Sequence, residues 1–161
     1  MSVDTQAWSD YFVAQAGAAA ALAGLLFVAV SINLARVLEY PNLPGRAAET
    51  LILLVGLLTV ALVGLVPGQA AGVLGVELAV VGAIALLAIA RIQWRSPKSR
   101  YEPRVMRSLL ALTPAVSWLV AGICLWSSAF EWGFSLNLAA SVLTLLSVAY
   151  STWVLLVEIQ R

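Results

Sequence analysis

Residues 105–157, VMRSLLALTPAVSWLVAGICLWSSAFEWGFSLNLAASVLTLLSVAYSTWVLLV, are apolar almost throughout. As one helix they would run roughly 80 Å, against a bilayer hydrocarbon core of about 30 Å. The stretch must therefore break once. Glu131, Trp132 and Gly133 form its turn-like cluster and mark the expected break. Two spans result, about 105–126 and 134–157. Upstream, three more stretches hold about 20 apolar residues each: 12–35, 47–66 and 72–92. Pro41, Pro44 and Gly45 separate the first pair, and Pro67, Gly68 and Gly72 the second. Pro97 and Pro103 lie in the third connection. The expected fold is all-α: one integral membrane bundle of five transmembrane helices over residues 1–161.

Composition agrees. The chain is 62% hydrophobic and 11% charged, where soluble domains carry about 25% charged residues. In water such a chain would expose apolar surface that it cannot cover. Its length suits one bundle and no second domain. The opening MSVDTQAWSDYF holds Asp4 and Asp10 and nothing basic, unlike a cleaved signal peptide.

Charge sets the expected orientation, since cytoplasmic loops collect Lys and Arg. Arg36 and Arg46 flank the first connection. Arg91, Arg95, Lys98, Arg100, Arg104 and Arg107 occupy residues 91–107, and Arg161 ends the chain. With five spans all nine basic residues fall on one face. The N-terminus is then outside and the C-terminus cytoplasmic, in the cell membrane. Trp8, Tyr11, Trp126 and Trp132 fall at the outer interface, and Trp94, Tyr101 and Trp153 at the inner one. Trp118 is the mid-span exception.

Small residues suggest where helices meet, because close approach replaces hydrophobic drive in lipid. Gly17, Gly24 and Ser31 recur every seven residues in the first span, making one stripe. Gln15 and Asn33 are five turns apart and share a roughly opposite face. Two specialised faces imply little lipid contact for this span. The third span carries Gly75 and Gly82, and the fifth a polar side with Asn137, Ser141, Thr144 and Ser151. Pro114 breaks the backbone bonding of the fourth span, with Thr113 and Ser117 placed to satisfy the freed carbonyl.

Ionisable groups inside a membrane are functional candidates. Glu77 lies about five residues into the third span and Glu49 near the start of the second. Both sit near helix N-termini, which favour negative charge. Glu49 also follows Arg46 by three residues, an ion-pair spacing. Glu77 has no basic partner on its own side. With Gln15, Gln69 and Asn137 at similar depth, it could line a proton or cation site at the outer mouth. The basic segment RIQWRSPKSRYEPRVMR suits anionic lipid headgroups. No nucleic-acid-reading module is present.

The absence of His excludes Ser–His catalysis and His-based zinc sites. One cysteine, Cys124, excludes a dithiol centre. Lys98 is in a loop, away from any intramembrane Schiff-base position, and neither methionine is placed to ligate haem. The reading is therefore not an enzyme, with no cofactor.

WSDYFVAQAGAAAALAGLLFVAVSINL, then PNLPGRAAETL and LVPGQ, resembles a group of small multi-pass bacterial membrane proteins of actinobacterial type. Some of these carry automatic labels as modulators of a membrane-bound protease. The resemblance covers roughly residues 8–77 and implies a regulatory role, with no site residue to carry over. The leading expectation is an accessory or regulatory subunit acting through helix–helix contacts, as a homo-oligomer or in a larger membrane complex. The alternative is a small oligomeric ion channel, or a proton- or cation-coupled transporter, with Glu77 at its outer mouth.

Overall fold

The computed structural model describes residues 8–96 and 104–159. Six helices follow in order: α1 Ser9–Ile32, α2 Leu34–Glu39, α3 Leu43–Gly64, α4 Ala71–Arg95, α5 Arg104–Trp126 and α6 Phe130–Ile159. Among the described residues there is no strand. Five helices are long and apolar enough to cross a membrane, all but the short α2. Outward faces carry Leu25, Phe27, Ile84, Leu87, Ile123 and Leu146, as lipid-facing surfaces do. Residues 97–103 of the basic segment lie outside the described residues.

The break between α5 and α6 falls at residues 127–129, ahead of the expected Glu131–Gly133. The reason is a capping motif. The Ala129 N–H donates to Cys124 O at 2.9 Å and the Ser128 N–H to Leu125 O at 3.3 Å. This is the paired bonding of a Schellman cap, with Ser128 left-handed at φ 67. Glu131, Trp132 and Gly133 instead open α6. Gly133 serves packing: a Cβ there would sit 2.5 Å from Leu125 Cγ.

Helices α4 and α5 approach most closely. A Cβ on Gly75 would meet Gly122 O and Trp126 N at 2.7 Å, and one on Gly82 would meet Leu119 N at 2.6 Å. Gly122 meets Gly75 O and Ala79 in return. In α3, Gly56 lies under the fully buried Trp118 ring, and Gly64 under Phe12. Helix α1 packs on α3 from the edge of the bundle and touches α6 near its own start. Only its Phe12–Gln15–Ala19–Leu26 face is buried. The stripe of Gly17, Gly24 and Ser31 is exposed, and a Cβ at either glycine would meet nothing within 4 Å. The expectation of two covered faces is thus not met within the single chain, because among the described residues no helix covers this side of α1.

Pro114 stays inside α5. Having no N–H, it leaves Leu110 O, four residues back, without its helical donor. Thr113 and Ser117 do not supply one: their hydroxyls donate to Leu109 O at 2.5 Å and Thr113 O at 2.9 Å. Each hydroxyl bonds the carbonyl four residues before its own position, and neither of those is Leu110. The donor is Ser147 Oγ of α6, at 2.7 Å. The proline therefore ties α5 to α6.

Ser147→Ala should destabilise the detergent-solubilised protein by about 1–2 kcal/mol. Pro114→Ala restores an N–H to Leu110 O, so Ser147→Ala should cost much less in that background. Equal costs in both backgrounds, measured by unfolding titration, would refute the link. Ser128→Gly removes the left-handed strain of a side chain and should add about 1 kcal/mol, read in the same titration.

Candidate functional site

Among the described residues the buried polar and charged side chains are Gln15, Arg46, Glu49, Thr50, Asn137, Ser141, Thr144 and Ser147. All belong to α1, α3 and α6. They form one seam because α6 repeats polar residues every three or four positions, which keeps them on one helix face. Phe134, Val148 and Leu155 complete that buried face.

One end of the seam lies where α1 and α6 begin. Tyr11 Oη donates to Ser141 Oγ at 2.6 Å, and Ser141 Oγ donates to Asn137 O at 2.9 Å. One turn along α1, Gln15 Nε2 donates to Leu57 O of α3 at 3.2 Å. Trp8 stacks on Phe134 with ring centroids 4.9 Å apart. Gln15 Oε1 and both polar atoms of the Asn137 side chain are buried without a hydrogen-bond partner among the described residues. Each such atom costs about 1–3 kcal/mol if nothing solvates it.

The other end gathers basic residues. Arg107 grips Glu49 with two parallel bonds, Nη2 to Oε1 at 2.6 Å and Nε to Oε2 at 3.1 Å. This fork fixes both the distance and the plane of the carboxylate. Arg46 is buried nearby and acts on the same carboxylate electrostatically. Thr50 Oγ1 donates to Arg46 O at 2.9 Å. Ser108 Oγ donates to Gln93 Oε1 at 2.8 Å, joining α5 to α4. Arg46 thus lies within electrostatic reach of Glu49, and a forked bond is added from α5, 58 residues away in sequence. A helical spacing could not reveal this partner, because Arg107 reaches Glu49 from another helix.

The expected grouping of Glu77 with Gln15, Gln69 and Asn137 separates into parts. Gln69 Nε2 donates to Glu77 Oε2 at 2.5 Å. Gln15 and Asn137 belong instead to the seam. Glu77 stands off the flank of the α4 stripe of Leu74, Gly75, Leu78 and Gly82 that packs into the bundle, and α4 has α3 and α5 as its main neighbours. Equal depth did not mean shared direction. Asn33 stands at the far end of this helix from Gln15: α1 ends at Ile32, and the Asn33 amide donates to Ala29 O at 2.9 Å. Its amide is thus spent on capping its own helix.

Sequence reasoning did not place Arg107, Ser147 or Tyr11 among the candidate site residues. Arg107 did leave a signal, an arginine inside the first turn of an apolar span. Among the described residues no cluster of metal-binding side chains occurs. No known protein family, curated protein or solved structure matches the chain.

Arg107→Ala strands a buried carboxylate and should cost about 3–5 kcal/mol, as should Glu49→Ala. Replacing both by leucine should recover most of that loss. A double variant as unstable as either single one, by thermal unfolding in detergent, would show that the pair is not a closed unit.

Proposed function

We propose that this chain is an accessory or regulatory membrane protein that works through helix–helix contacts, with α1 as its contact helix. The supporting observation is a contrast among glycines. Gly56, Gly75, Gly82 and Gly122 each lie against a neighbouring helix at under 3 Å for an added Cβ, whereas Gly17 and Gly24 face open space. Glycine costs a helix interior about 1 kcal/mol relative to alanine. Two unpacked glycines on one exposed stripe suit a helix from a second copy or from a larger complex.

In this reading the chain sits in the cell membrane with its N-terminus outside and C-terminus cytoplasmic, as its arginines and sole lysine favour. The basic segment 91–107 rests against anionic lipid headgroups. The resemblance of residues 8–77 to proteins labelled as protease modulators agrees with a regulatory role. No catalytic residue is proposed. The transport reading groups Glu77 with Gln15, Gln69 and Asn137, and among the described residues the hydrogen bond at Glu77 comes from Gln69 alone of these.

The test pairs Gly17→Leu with Gly24→Leu. Wild-type protein in gentle detergent should run as an oligomer or cross-link to a membrane partner. The double variant should keep the wild-type thermal midpoint and lose the association. A wild-type chain that stays monomeric and captures nothing sinks the proposal.

A further inference from the structure

A small cavity lies beside the Glu49–Arg107 pair, where α3, α5 and α6 meet. Its polar lining comes from Arg46, Glu49, Thr50, Arg107, Ser147 and Ser151. It offers about 10 Å³ to the centre of a water-sized sphere, about what one water molecule requires. We propose that this cavity is a binding site for one internal water molecule, which completes the hydrogen bonding of the ion pair.

Size and chemistry both select water. The space is far too small for a lipid headgroup or an organic substrate. A bare cation would meet two guanidinium groups, and the Glu49 carboxylate is already held by Arg107. Water can donate, and the lining offers acceptors with room for it. An ionised carboxylate offers about four acceptor positions, of which the Arg107 fork occupies two. Ser147 and Thr50 give their hydroxyl protons to Leu110 O and Arg46 O. Their oxygens keep lone pairs and can only accept from a newcomer. Internal waters typically make two to four such bonds. The site depends on Pro114, since the carbonyl freed by that residue holds Ser147 at the cavity wall.

Radiolytic labelling tests this on the intact protein in detergent. Hydroxyl radicals form from water in place, so a buried side chain is modified only where water touches it. Leu53 lines the cavity and is 2% exposed, while Leu54 and Leu78 are 0% exposed and do not line it. Leu53 should label at least several-fold more than either. Ser151→Val fills the space: it should abolish Leu53 labelling and lower the thermal midpoint, because a bound water is displaced. Ser151→Ala should keep the label. Wild-type Leu53 as silent as Leu54 would overturn the proposal without recourse to any variant. So would a Ser151→Val protein with a raised midpoint, the signature of filling a dry void.

Discussion

An apolar solvent offers no hydrogen bonds, so every polar group that the helices free must find its partner inside the bundle. That constraint organises this protein. Pro114 removes one donor, and a serine from another helix replaces it. Glu49 carries a charge into the interior, and Arg107 meets it with a fork. Buried ion pairs seldom add much stability over apolar packing, but breaking one is severe. The pair therefore acts to specify: α3 and α5 have only a slender direct interface, and the fork sets their relative position.

Backbone approach supplies the rest of the cohesion. Without a hydrophobic drive between helices in lipid, stability comes from close van der Waals contact and hydrogen bonds. Gly75, Gly82 and Gly122 bring α4 and α5 into main-chain contact. Gly56 admits the Trp118 ring, which accounts for a mid-span tryptophan that interfacial preference does not explain. Helix α1 stands apart from this core. Its buried face holds Phe12 and Gln15, and its small-residue stripe is left uncovered. The polar seam then runs between the parts, from Tyr11 and Asn137 at one end to Arg46 and Glu49 at the other.

Much of the fold was legible before the structure. Five spans followed from the length of the apolar stretches, and Gly75 and Gly82 were read as packing positions. The polar face of α6 was visible in its spacing. The turn before α6 was misplaced because Ser128 does what glycine usually does, and Glu131–Gly133 looked more turn-like. The candidate site was legible only in pieces. Gln15, Asn137 and Glu49 lie on the seam, whereas Glu77, Gln69 and Asn33 do not.

The division has a physical basis. By itself, the sequence determined properties that repeat along one helix: span length, the apolar surround, the three-and-four spacing of polar residues, and the clustering of positive charge. Each depends on local geometry and on transfer from water to lipid. Only the tertiary structure decided the pairings between helices. Glu49 found Arg107 across 58 positions and Leu110 O found Ser147 across 37, and no helical period relates residues on different helices. Rotation of each helix about its axis is set by where glycines let backbones touch, so side-chain direction emerges only once the bundle closes.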